Sequence, residues 1–276
     1  MTIYIRTLKR NINASPFKVS GKVLYTICHK PILMSLVLPS FLDPFKTEIL
    51  FILFFVDGLL IGLAIRKGYN AYAPHLFSRF GKHFNSKNIE SAMTRFFAIP
   101  EKERWSQEGM QKALQTASTE EKQIIEKIFG SRNETTKTMV KDLISLREHI
   151  TKRPEANGDK IGSIGFCLGG GLVFQLAADA PIKATSVFYG ANPDPVASIA
   201  NIKGKVIGSY AAEDPRVNAG ISAMMEAFVQ NRKEIEIKIY EKAQHAFFND
   251  LRPTYNKIAA DDAWKRTLEF FARELA

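Results

Sequence analysis

Residues 160–177 read KIGSIGFCLGGGLVFQLA. A short apolar run, a cysteine bracketed by glycines and a helix-forming stretch follow one another without a spacer. An apolar run of this length predicts a strand over 160–166 buried on both faces, and GLVFQLAADA predicts a helix over 171–180. A strand buried on both faces belongs to a parallel sheet covered by helices. The pentapeptide Gly165-Phe166-Cys167-Leu168-Gly169 has the G-x-nucleophile-x-G form of a tight strand-to-helix turn. Such a turn lifts the central side chain above the sheet, and glycines on either side let the backbone make it without clashes. The helix that follows offers amide donors and the positive end of its dipole, which favour a thiolate and can hold an oxyanion. By itself the pentapeptide is weak evidence, and a packed cysteine on a glycine-rich turn fits it better.

The rest of the chain alternates in the same sense. YNAYAP (69–74) reads as a strand closed by a proline, and residues 88–151 carry apolar positions at helical spacing. RPEANGD (153–159) breaks that run. Further strands are expected at 184–190, 204–210 and 235–241, with helices over 218–230 and 255–275. Strands separated by helices imply an α/β fold with a mainly parallel sheet and helices on both faces. Such sheets build their sites at the carboxyl ends of the strands. Two polar residues fall there after Cys167. Asp214 follows one expected strand in SYAAEDPRVN, and His245 follows the next in YEKAQHAFFND. Alone, Asp214 fits an Asp-Pro turn and His245 a packed or surface histidine. Together they supply an acid and a base in the order nucleophile, acid, base.

The chain has 276 residues and a formal net charge of +10. Residues 1–66 hold eight Lys/Arg (6, 9, 10, 18, 22, 30, 46, 66) and three acids (43, 48, 57), so half of the excess lies in a quarter of the chain. No arginine-rich tract, zinc-ligand spacing or basic–aromatic ribbon accompanies it, and no nucleic-acid partner is expected. Two cysteines, Cys28 and Cys167, make no disulfide framework and suit a reducing, cytoplasmic compartment. The first residues lack the apolar core and cleavage site of a secretory signal.

Residues 1–66 read as an atypical N-terminal segment ahead of an α/β domain spanning 67–276. FKVSGKVLYTIC (17–28) suggests a hairpin turning at Ser20-Gly21. ILFILFFVDGLLIGLAI (49–65) is apolar apart from one Asp and its glycines. At 17 residues it sits at the short limit of a membrane span, and Asp57 opposes insertion. The preferred reading is a buried strand over 49–56, a turn at Asp57-Gly58 and a short helix. A membrane anchor is the alternative. If the strand reading holds, Ile49–Val56 should pair beside 160–166, because the nucleophile strand needs a partner on each side.

From about residue 66 onward the chain resembles the dienelactone hydrolase family of α/β-hydrolases. GYNAYAPHLFSR, DKIGSIGFCLGGG, SVFYGANP, GSYAAEDPRVNAG and YEKAQHAFFND carry the resemblance. It implies a Cys–His–Asp triad of Cys167, His245 and Asp214 acting on a small ester or lactone through an acyl-cysteine, without a cofactor or metal. It also implies that the Leu168 amide gives half of an oxyanion hole, that Arg79 binds a substrate carboxylate and that Tyr189 lines the site. Two departures stand out. Asn249 occupies the place where dienelactone-active members carry an arginine four residues after the histidine, and the family's His-Glu pair on the N-terminal strand is missing. Those departures leave a catalytically impaired hydrolase fold and a membrane-tethered hydrolase as alternatives to a soluble ester or lactone hydrolase.

Overall fold

The computed structural model describes residues 24–25, 33–37, 48–52 and 69–276 except 105, 154, 155, 157 and 251. Among these residues eight strands form one sheet: β1 (Leu24–Tyr25), β2 (Leu33–Val37), β3 (Glu48–Ile52), β4 (Asn70–Pro74), β5 (Ile161–Phe166), β6 (Ala184–Phe188), β7 (Lys205–Glu213) and β8 (Ile235–Gln244). Their order is β1-β2-β4-β3-β5-β6-β7-β8. The pairs from β4 to β8 are parallel, and β1 and β2 join antiparallel at one edge. This is the expected α/β architecture.

The strand that leads to Cys167 is interior. β5 is buried at all six positions, as an apolar run in a two-sided sheet requires. On one side it pairs with β6, Gly162 opposite Ala184 through Phe166 opposite Phe188. On the other it pairs with β3, Glu48 opposite Ile161 through Ile52 opposite Gly165. The first part of the apolar run 49–56 therefore lies where the partnering argument puts it. Residues 53–65, with the Asp57 turn, and the Ser20-Gly21 hairpin fall outside the described residues. Among the described residues no helix is long and apolar enough to cross a membrane.

The stretch between β4 and β5 is helical, as its periodicity predicts. It holds α1 (Ser86–Phe97), α2 (Glu101–Arg104), α3 (Gln107–Gln115), α4 (Thr119–Ile125), a π-turn at Glu126–Gly130 and α5 (Arg132–Thr151). Ser118 and Glu121 close a reciprocal capping box at the start of α4. After β5 come α6 (Leu168–Asp179), α7 (Pro215–Asn218), α8 (Ile221–Gln230) and α9 (Lys257–Glu274). One apolar cluster lies between the sheet and α1, α5, α6 and α8, and includes Met93, Phe96, Leu143, Phe174 and Phe228. The second lies under α9 and gathers Ile164, Phe188, Phe247, Phe270 and Phe271. The sheet is thus covered on both faces.

α6 begins at Leu168, three residues before the expected start, and takes Gly169, Gly170 and Gly171 into its first turn. Glycine costs a helix about 1 kcal/mol each, yet close approach requires it here. A Cβ on Gly170 would lie 2.7 Å from the Phe188 carbonyl oxygen, and one on Gly165 would lie 2.1 Å from that of Gly169.

Candidate active site

Cys167 has φ 55° and ψ −116°, a left-handed conformation that costs energy for a side-chain-bearing residue. The turn is held from both directions. The Cys167 amide donates to the Phe188 carbonyl (3.1 Å), and the Gly171 amide donates to the Cys167 carbonyl (3.2 Å). The side chain stands, half-buried, at the carboxyl end of the sheet.

Two neighbouring strands bring the partners to it. β7 and β8 run on past their expected ends, and after a register irregularity Glu213 lies opposite Gln244. Their successors, Asp214 and His245, therefore leave the sheet side by side. Asp214 caps α7, accepting from the Val217 amide at 3.3 Å, and its side chain is 2% exposed. The loop carrying His245 is pinned by the side chains after it. Ala246 turns with φ 67°, Phe247 is fully buried beside Tyr189 and Tyr240, and Phe248 packs on Phe166 and Phe188. The imidazole is left free to reach both neighbours. His245 Nδ1 lies 2.5 Å from Asp214 Oδ2, and Nε2 lies 3.0 Å from Cys167 Sγ.

Burial opposes charge at both His245 and Cys167, and their mutual attraction overrides it. For Cys167, burial raises the thiol pKa, but the His245 charge and hydrogen bond, the Arg216 charge and the Leu168 amide bring it below its ordinary value. For His245, burial lowers the pKa, whereas the Cys167 charge and the Asp214 and Cys167 hydrogen bonds raise it to about 9. The pair therefore favours thiolate and imidazolium together. The Leu168 amide is directed at the sulfur, at the amino end of a 12-residue helix.

Tyr189 forms one wall. It is buried with φ 37°, and its ring centroid lies 5.0 Å from that of His245. Burial and the neighbouring thiolate push its phenol well above the ordinary range, against a hydrogen bond from the Phe248 backbone. Tyr189 thus stays neutral beside Cys167 and His245. Arg79 sits in a short 3-10 turn after β4. Its guanidinium donates bidentately to Asp142 of α5, at 2.7 and 2.5 Å.

Two further arginines act on the site, and sequence reasoning missed both. Arg216, the second residue of α7, bears on Cys167, and the Cys167 charge in turn acts on Arg132, the first residue of α5. Arg216 immediately follows the Asp214-Pro215 dipeptide, which was a usable signal. Arg132 carried none.

The turn and the three side chains it brings together stand at the carboxyl end of a mainly parallel sheet. Residues 62–275 match the Dienelactone hydrolase family. The chain belongs to the dienelactone hydrolase family. A "Putative carboxymethylenebutenolidase" of Saccharolobus solfataricus is 40% identical over 207 residues, which cover 75% of this chain and 79% of that protein. Among solved structures, a "Putative Dienelactone Hydrolase" of Klebsiella pneumoniae superposes with a TM-score of 0.63 over 85% of this chain and 90% of its own, at 23% identity. A dienelactone hydrolase of Anabaena variabilis gives 0.57 over 93% and 99%, at 13% identity. Both structural likenesses speak to the fold. As a member of the dienelactone hydrolase family, the protein is a hydrolase.

Proposed function

We propose that this dienelactone hydrolase family member cleaves a small carboxylic ester or lactone through an acyl intermediate on Cys167. The observation that carries the reading is the unbroken relay Asp214–His245–Cys167, with contacts of 2.5 and 3.0 Å. The name of the Saccharolobus relative points to a butenolide, an unsaturated lactone, and that class is proposed for this chain by similarity.

The thiolate of Cys167 attacks the carbonyl carbon, forming a C–S bond and driving the carbonyl electrons onto oxygen. The Leu168 amide donates to that oxyanion. The C–O bond then breaks while the His245 imidazolium gives its Nε2 proton to the departing oxygen. In a lactone that oxygen remains tethered to the acyl chain. Neutral His245 next takes a proton from water, and the resulting hydroxide attacks the thioester. Collapse of the second tetrahedral intermediate expels the thiolate and releases the acid, with the imidazolium restored. Asp214 fixes the imidazole tautomer throughout, through Nδ1. Tyr189 walls the acyl pocket. For Arg79 to bind a substrate carboxylate, as its family position suggests, it would have to exchange Asp142 for the substrate.

Pre-steady-state hydrolysis of p-nitrophenyl acetate tests the reading. The wild-type protein should release a burst of about one p-nitrophenolate per chain before the steady rate. Cys167→Ala should show no burst and a steady rate lower by at least about 10³-fold. A Cys167→Ala variant that hydrolyses the ester at the wild-type rate would remove Cys167 from the chemistry.

A further inference from the structure

β8 ends the sheet, and among the described residues no strand pairs with its outer side. The amides and carbonyls that face away from β7 make such an edge a template for another strand. The regular part of β8 runs from Ile235, opposite Val206, to Tyr240, opposite Ala211. Beyond it the register breaks, and Lys242 turns with φ 55°.

Residues 235–239 read IEIKI, a palindrome of apolar positions whose two charges are opposite. Ile235 and Ile237 pack against the cluster that α8 covers. Alternation puts Ile239 on the same face, where it is 49% exposed. Glu236 and Lys238 take the other face, Glu236 bonded to Arg273 of α9 and Lys238 to Asp262 of the same helix at 2.8 Å. Val229, near the end of α8, lines one groove with Ile235 and is 72% exposed. An apolar stripe and a charged stripe thus run side by side along an open edge.

We propose that β8 is a dimerisation edge, on which a second copy of this chain pairs antiparallel about a two-fold axis at Ile237. An axis normal to the sheet keeps each face continuous, so opposite residues share a face. Centred on Ile237, each Ile235 meets the partner's Ile239, and each Glu236 meets the partner's Lys238. These contacts extend the existing ones into the alternating series Arg273, Glu236, the partner's Lys238 and the partner's Asp262. Other registers fail. Centred on Glu236 or on Lys238, the strand sets that charge on its own copy, and centred on Ile235 it sets Glu234 on Glu236, all destabilising. Centred on Ile239, it runs into Lys242, where the strand has left its regular course. The same charges that exclude the wrong registers fix the right one. Cys167 follows β5, three strands from this edge, so the inference stands apart from the proposed hydrolysis and its test needs no turnover.

Sedimentation equilibrium of the chain reads it directly. At about 100 μM the wild-type protein should have twice its chain mass, as a micromolar dissociation constant implies. Glu236→Lys and Lys238→Glu each create two like-charge contacts across the axis and should weaken the dimer at least about tenfold. Mixed in equal amounts, the two variants should associate again, because each supplies the charges the other lacks. Damage to the fold cannot produce that recovery. Ile239→Lys, at a position already half exposed, should also weaken the dimer, and it keeps the test decisive if a charge variant does not fold. A monomeric wild-type chain, a dimer that none of the three variants weakens, or folded charge variants that stay apart when mixed would each overturn the proposal.

Discussion

Cys167 and His245 stabilise one another's charged forms, so the pH profile of the thiol depends on its partner. Cys167 lies below its ordinary value and His245 is raised to about 9. Between those two limits thiolate and imidazolium coexist. As pH falls through the lower limit the sulfur gains a proton and attack stops. As pH rises through the upper limit the imidazolium loses the proton that the proposed mechanism gives to the leaving group. Acylation should therefore be bell-shaped, falling off above about pH 9. Iodoacetamide labelling of Cys167 follows the acid limb alone. His245→Gln should move that limb upward in pH, because it removes the charge and hydrogen bond that lower the thiol. Asp214→Asn should lower turnover less than His245→Gln does, since in the proposed mechanism Asp214 orients the proton carrier and His245 moves the proton. A labelling midpoint identical in wild type and His245→Gln would show that thiol and imidazole are not coupled.

The element that concentrates these effects is the β5–α6 turn, where backbone meets backbone with no room for a methyl group. Gly165→Ala would bring a Cβ to 2.1 Å from the Gly169 carbonyl oxygen, and Gly190→Ala one to 2.4 Å from the Gly170 carbonyl carbon. Neither neighbour can yield without moving α6. Both variants should lose soluble expression or, if folded, unfold at lower denaturant than Gly171→Ala, where the nearest atom is 3.6 Å away. Wild-type denaturation of Gly165→Ala would contradict the close packing. This turn was legible in the sequence because glycines around a cysteine between a strand and a helix leave few alternatives. Asp214 and His245 were legible as strand-end residues, but their meeting was legible only through the family resemblance and not from local pattern. It depends on the β7–β8 register and on extensions past residues 210 and 241, which local propensity does not encode. Arg132 was invisible for a related reason. It is one of many charges in a long amphipathic stretch, and only the course of α5, whose first residue it is, sets where it lies.

At the scale of the whole molecule, the N-terminal residues and the family-like remainder share one sheet. β3 lies between β4 and β5, so its removal would leave two strands of the interior facing a gap. Their unpaired amides and carbonyls would favour aggregation. A fragment starting at residue 67 should therefore be insoluble and inactive. If it were soluble and fully active, the strand role of 48–52 would be dispensable. The sheet holds in place the proposed chemistry at one atom, a bond between substrate carbon and the sulfur of Cys167. The most direct measurement is to quench the protein with acid during turnover of p-nitrophenyl acetate, digest it and weigh the peptide containing residues 160–177. The account predicts an added acetyl mass on Cys167, at near-stoichiometric occupancy early in the reaction and absent from Cys167→Ala. Turnover with that peptide unmodified at every quench time, or with the acetyl group on another residue, would contradict it.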